Sequence, residues 1–199
     1  PPVVSEHIGF RLGPRLNAAG RLTSAEKALR LLLTTDDAES AAIATELDAQ
    51  NRERQALERV IVAAAEATIA TLPLGAAIVL GERGWHPGVL GIVASRIARK
   101  YHRPTLIVGF DEEGVGKGSG RSITGLSPVT SLRRCAIALA KYGGNKLAAA
   151  LTIRVEQFSA IASASTDTCA DLLPTADPHP PLPLHIDLHP HCRGEDPSR

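Results

Sequence analysis

The longest regular pattern of apolar positions lies between residues 38 and 72, a stretch with neither glycine nor proline. Its apolar side chains recur every three or four residues, as on one face of an α-helix. They are Ala42, Ile43, Leu47, Leu57, Val60 and Ile61. A helix of about 30 residues would extend about 45 Å at ~1.5 Å per residue, which is longer than a small domain needs. We therefore expect it to connect two parts of the molecule.

Beyond residue 75, short apolar runs alternate with helical patterns. The predicted order is a strand at 76–80, a helix at 88–101 and strands at 105–110 and 117–123, then a helix at 127–142, a strand at 149–155 and a helix at 157–172. Two strands joined by a helix pair in parallel, so the sequence predicts an α/β fold with a mixed, partly parallel sheet flanked by helices. Gly143 is expected to end the helix at 127–142 as its C-cap.

The N-terminal residues 8–22 contain three glycines and a proline. These residues interrupt any helical period, which favours an ordered loop or a broken helix. The segment also carries Arg11, Arg15 and Arg21.

The formal net charge of +1 hides a strong segregation of charge. Residues 36–58 contain seven acidic and two basic side chains, whereas residues 96–154 contain eleven basic side chains against three acidic ones. The second stretch is expected to attract an anionic polymer. The alternative is a basic face that is simply solvated.

Composition and short motifs argue against a membrane protein and against a metal-binding chain. The chain has no signal peptide pattern and no long uncharged apolar run, which favours a cytoplasmic protein that does not span a membrane. The absence of methionine suggests a fragment, and the Pro- and His-rich residues 173–199 read as a tail. We find no DHH, DxD or HExxH motif, so we expect no metal or other cofactor to be bound by this chain.

The most informative local sequence is the glycine-rich segment 114–122. Side chains alternate between the two faces of an extended strand, which places Lys117, Ser119 and Arg121 together. The intervening glycines are expected to leave amide donors uncovered, and the whole face suits a phosphate group. A flexible hairpin with solvated charges is the alternative.

A second candidate lies at the junction between the first strand and its helix. Gly88 and Gly91 would allow a ligand to approach the helix N-terminus, where unpaired amides favour anions. His86 either contacts such a ligand or caps the helix by a hydrogen bond.

Several of these segments, in this order, resemble the RecJ-type single-strand-specific 5′→3′ exonucleases of the DHH/DHHA1 phosphoesterase superfamily. The matching segments are the Gly-Pro-Arg-Leu-Asn-Ala-Ala-Gly-Arg run at 13–21, the long helix, the Trp85-His86 turn, the strand at 118–122 and the Gly143-Gly144 turn. The resemblance runs from about residue 8 to residue 158.

The resemblance implies a role for each segment. Ser119 and Arg121 would bind a DNA phosphate at the 5′ end, and Arg15 and Arg21 would lie near the groove between domains. The family's Gly-Gly-His turn reads Gly143-Gly144-Asn145 here, so either the chain is a degenerate copy or the contact with the substrate at this turn is weakened. In that family, Mn²⁺ or Mg²⁺ is held by a separate DHH domain, which is expected to be a partner of this chain and to lie outside it.

These expectations divide the chain into four parts. Residues 1–35 would end the DHH domain, 36–73 would form the connector, 74–172 the DHHA1 nucleic-acid-binding domain, and 173–199 a tail that could open an OB-type domain. The expected function is the strand-binding part of an exonuclease in DNA repair and recombination, inactive alone. The alternatives are a stand-alone DHHA1 binding module and part of a phosphodiesterase acting on short oligonucleotides or cyclic dinucleotides.

Overall fold

The computed structural model describes residues 2–123, 141–144 and 148–172. Its N-terminal part is helical: a single turn at Ser5–His7 leads into a π-helix at Ile8–Leu12 and then helix α1, Gly13–Leu22. Of the two expected alternatives, the ordered loop is therefore wrong, and the broken helix agrees with a helical segment that contains a π-helical turn. Pro14 lies in the first turn of α1, where a missing N–H is tolerated. The wider π-helical turn just before it lets the helical path continue into the proline.

The predicted long helix is confirmed as α3, which follows the shorter helix α2, Glu26–Leu33. Helix α3 spans Asp37–Thr71, 35 residues, and so extends about 52 Å. The Asp36 carboxylate begins it by accepting the Ala38 and Glu39 amide hydrogens. Helices α1 and α2 pack on its N-terminal half around a small core centred on Leu47.

Five strands form one mixed sheet. They are β1 at Ile78–Arg83, β2 at Thr105–Phe110, β3 at Val115–Arg121, β4 at Lys141–Gly144 and β5 at Ala148–Arg154. The spatial order is β1-β2-β3-β5-β4, with β1 and β2 parallel and the other pairs antiparallel. Helix α4, Pro87–Tyr101, joins the parallel pair, which confirms the predicted βαβ unit.

The sheet separates two hydrophobic cores because neighbouring residues of a strand point to opposite faces. On one face Ile78, Leu80 and Ile107 pack with α3 and α4. On the other, Val108, Leu151 and their neighbours pack with helix α5, Phe158–Leu172. Among the helices within the described ranges, none is long and apolar enough to cross a membrane.

The segment around residue 142 differs from the prediction. Most of the helix expected at 127–142 lies outside the described residues. Lys141–Gly144 forms β4 at the sheet edge, paired with β5, so the helix cannot run to residue 142 and Gly143 is not its C-cap. Two consecutive glycines serve as well in a short edge strand as at a helix end, and the local sequence does not distinguish the two.

Candidate nucleic-acid interface

A groove opens on the face of the sheet that α4 only partly covers. Helix α4 packs over β2 and β3, and beyond it lies a cavity of about 540 Å³ above β3 and β5. Its walls come from separate parts of the chain: Arg21 from α1, the first turn of α4, residues 117–119 and 121 of β3, Gly143 of β4 and residues 150–152 of β5. The groove is therefore assembled only when the N-terminal helices and the sheet are in place.

The alternation predicted for β3 is present in the structure. Lys117, Ser119 and Arg121 all line the groove, while the glycines between them are buried. The expectation of uncovered glycine amides is wrong, because β3 pairs with β2 on one side and with β5 on the other. The absence of side chains instead lets the opposite face pack closely: a β-carbon at Gly118 would lie 2.8 Å from Leu151 Cδ1.

Arg121 is held by three hydrogen bonds. Its Nε donates to Ser95 Oγ at 3.1 Å, and its Nη1 donates to Ser119 Oγ at 2.9 Å and to Gly120 O at 2.7 Å. A guanidinium has five N–H donors, so this arrangement fixes the plane of the group and leaves donors for a ligand.

Arg21 reaches the same groove from α1. Its Nη1 donates to Gly88 O at 3.2 Å, in the first turn of α4. Gly88 is required at this contact, because a β-carbon there would lie 1.9 Å from Arg21 O. The glycine at position 88 thus serves the packing of α1 against α4.

The groove has a strongly positive character. Arg21, Lys117 and Arg121 line it, and no acidic residue does so within the described part of the chain. Burial, and to a smaller extent the charge of Arg21, lower the pKa of Arg121 from its usual value. The N-terminus of α4 points its positive end at the same space. This concentration of positive charge is electrostatically unfavourable without a counter-charge, and it favours the binding of an anion in the groove.

His86 caps α4. Its Nδ1 accepts the Gly88 amide hydrogen at 3.1 Å, which assigns the ring proton of a neutral imidazole to Nε2. The side chain does not line the groove as the described residues define it. Its contact with a ligand remains a prediction.

The other candidates from the sequence are placed less centrally. Arg15 pairs with Asp48 of α3, with both Nε and Nη2 at 2.8 Å from Oδ1, and it does not line the groove in the described structure. Gly144 follows Gly143 in β4 but lies outside the lining set, and Asn145 lies outside the described residues.

The described residues do not fit a two-metal centre. Within residues 2–123, 141–144 and 148–172 there is no group of three or more His, Cys, Asp or Glu side chains that could hold a metal ion. Several carboxylates instead pair with basic side chains, among them Asp48, Glu58 and Glu66. No catalytic step can therefore be derived from this groove.

One residue of the site was missed from the sequence, and another has a role that differs from the expected one. Ser95 holds Arg121, and Gly91, one turn earlier in α4, was expected to admit a ligand but faces the same guanidinium. The local sequence of the helix gives no reason to associate either residue with Arg121, which lies 26 residues beyond Ser95.

A long helix followed by a mixed sheet with a cationic groove defines an α/β module suited to a phosphate-bearing ligand. Residues 67–171 match the model of the DHHA1 domain, and the chain belongs to that family. The resemblance to RecJ exonucleases is confirmed. The chain is 41% identical over 153 residues to the single-stranded-DNA-specific exonuclease RecJ of Bacillus subtilis, covering 76% of this chain and 20% of that protein.

Solved structures agree with this assignment. Two crystal structures of RecJ from Thermus thermophilus, one in complex with Mg²⁺ and one with Mn²⁺, superimpose with TM-scores of 0.76 and 0.75. Each is 41% identical and covers 83% of this chain, against 26% and 24% of the RecJ chain. The chain thus spans about a fifth to a quarter of the length of these RecJ proteins.

Proposed function

We propose that the groove binds the 5′ end of a single DNA strand and that the chain is the strand-binding part of a RecJ-like 5′→3′ exonuclease of DNA repair and recombination in the cytoplasm. The observation that carries this proposal is the set of three basic side chains, Arg21, Lys117 and Arg121, in a groove that no carboxylate of the described residues lines. A terminal phosphate has more charge than a bridging one, so it gains most from two neighbouring guanidinium groups.

The proposed division of labour follows the architecture. Residues 74–172 bind the strand through Lys117, Ser119 and Arg121, with Arg21 and Gly143 beside them in the groove. His86, Gly144 and Asn145 are proposed as further contacts. Residues 36–73 connect this part to residues 1–35, which belong to a DHH domain. That domain is the partner, and it holds the Mn²⁺ or Mg²⁺ that activates water for hydrolysis, as metal ions do in phosphodiester cleavage.

An exposed apolar stripe supports the proposed protein partner. Leu29, Leu32 and Leu33 of α2 are 57–68% exposed and share one side of the helix by their spacing. Clustered exposed leucines are typical of surfaces that another part of a protein covers. The chain alone is accordingly proposed to cleave nothing, and digestion of a labelled single strand in Mn²⁺ above a mock-purified control would contradict this.

The experiment that tests binding compares two arginines. Single strands with a 5′-phosphate and a 3′ fluorophore are titrated by anisotropy at one salt concentration, because salt alone shifts such affinities. Arg121→Ala should weaken binding about 10- to 150-fold, as expected for loss of a charge-assisted hydrogen bond worth ~1.5–3 kcal/mol.

The matched control is Arg30→Ala, which removes the same charge from an arginine that is paired with Glu39. It should leave the affinity nearly unchanged. Equal losses in the two variants would mean that only net charge matters and that the groove is not the binding site.

A further inference from the structure

We infer that Gly91 and Ser95 of α4 form a seat that orients the Arg121 guanidinium toward the strand end, and that they are positioning residues for the proposed site. This inference rests on the proposed function. Neither residue needs to touch the ligand, since each acts on Arg121.

The seat has two components that lie one helical turn apart. Ser95 Oγ donates to Gly91 O at 2.8 Å and accepts from Arg121 Nε at 3.1 Å. Because a hydroxyl has one hydrogen to donate, its donation to the helix leaves its lone pairs directed at the guanidinium. The helix therefore sets the direction of Nε.

Gly91 supplies the space for the other end of the group. A β-carbon at this position would lie 2.7 Å from Arg121 Nη2 and 3.2 Å from Ser119 Oγ. Such a contact is far too short, and the atom that can yield is the tip of a flexible side chain. An alanine here would displace the guanidinium and leave the backbone in place.

The two components and β3 together fix the guanidinium. Nε is held by Ser95, and Nη1 by Ser119 Oγ and Gly120 O. Nη2 lies against Gly91, at the wall of the groove that Gly91 itself lines. A side chain held in this way loses little conformational freedom when a phosphate binds, so the affinity is higher than for a free arginine.

Gly91→Ala separates this role from folding. Gly91 lies inside α4, where alanine is favoured over glycine by ~1 kcal/mol, so helix propensity alone raises stability. We expect affinity for a 5′-phosphorylated strand to fall about five- to tenfold, the loss of roughly one hydrogen bond, without a lower Tm. Ser95→Ala should show a similar loss, and Ser95→Thr, which keeps the hydroxyl, should restore most of the affinity.

A double-mutant cycle provides the decisive readout. In an Arg121→Ala background, Gly91→Ala should cause no further loss, because its effect passes through Arg121. If Arg121→Ala weakens binding but Gly91→Ala and Ser95→Ala do not, the seat is wrong and the proposed function stands. If Arg121→Ala has no effect, the proposed function fails and the seat has no role in binding. Additive losses in the cycle would show that Gly91 acts independently of Arg121, which also overturns the inference.

Discussion

Two sets of basic side chains in this chain differ in their environment. Around the long helix α3 several are paired: Arg15 with Asp48, Arg30 with Glu39, Lys27 with Glu46, Arg54 and Arg96 with Glu58, and Lys100 with Glu66. In the groove, Arg21, Lys117 and Arg121 make no ion pair with any carboxylate of the described residues. Charge along the sequence does not reveal this difference, since Arg96 and Lys100 belong to the same basic stretch as Arg121.

The difference indicates which cations stabilise the fold and which are available to a ligand. A paired cation at the surface contributes little to binding because its field is largely cancelled by its partner. A half-buried arginine beside a second arginine has no such compensation, and an anion is the group that provides it. Substitutions of the paired side chains around α3 should therefore change the stability of the fold. Substitutions of the groove side chains should change the affinity for the ligand.

The largest effect is expected at the most buried pair. Arg54 and Glu58 side chains are only 12% and 10% exposed, with Nη1 3.0 Å from Oε2, and Glu58 also faces Arg96 of α4. Glu58→Ala leaves Arg54 buried without its counter-charge, which costs about 3 kcal/mol and lowers Tm by roughly 10 °C. Calorimetry measures this change.

Affinity provides the other half of that test. Below its Tm, the Glu58→Ala variant should bind single strands as the parent does, and Glu58→Gln, which keeps an acceptor, should lose less stability. A large loss of affinity in a folded Glu58→Ala variant would break the distinction between the two regions.

Lysines allow the comparison to be sharpened through salt dependence. Lys117 lines the groove, whereas Lys27 pairs with Glu46 at 2.6 Å on the surface. A lysine that neutralises a phosphate releases a counterion on binding, so Lys117→Ala should reduce the slope of log K against log salt by about one. Lys27→Ala should leave the slope unchanged. Identical slopes for both variants and the parent would remove Lys117 from the interface.

The smallest effect is a pH dependence at Asp48. The hydrogen bond from Arg15, with a further one from Arg52, lowers the pKa of Asp48 below its usual value. The unfolded chain therefore takes up this proton first, at about pH 3.9. The ion pairs stabilise the fold fully above that pH, and their contribution is lost as the pH falls through the lower folded pKa.

Thermal unfolding of Asp48→Asn measures this contribution. The variant should have a lower Tm than the parent at pH 7, and the difference should shrink below about pH 4. Single-strand affinity should be unaffected, because Arg15 does not line the groove. A constant Tm difference down to pH 3 would contradict the assignment.

The elements with a strong period were predictable from the sequence. Helix α3, the βαβ unit and the shared face of Lys117, Ser119 and Arg121 follow from periods of 3.6 and two residues. Prediction was ambiguous or failed where glycine and proline were taken as breaks: at residues 8–22 it left a loop and a broken helix open, and at Gly143 it was wrong. In α1 and β4 the tertiary context tolerates these residues, and no local signal reports that context.

Contacts between residues that are distant in the sequence also could not be predicted. The sequence predicted that Arg15 lies near the groove, but it gave no indication that Arg15 pairs with Asp48, 33 residues away. From the sequence, Ser95 is an ordinary helix residue and Gly91 only a position where a ligand could approach, until β3 is placed beside them. The groove's walls come from α1, α4, β3, β4 and β5, so its shape exists only at the level of the tertiary structure.

The most direct test of the central claim compares strands that differ only at the 5′ end. The parent chain should bind a 5′-phosphorylated strand about five- to tenfold more tightly than the 5′-hydroxyl strand, the size of one charge-assisted contact. In Arg121→Ala, titrated at the same salt concentration, this preference should fall to about one. A parent chain without the preference, or a preference that survives in Arg121→Ala, would contradict the claim that Arg121 holds the 5′ end.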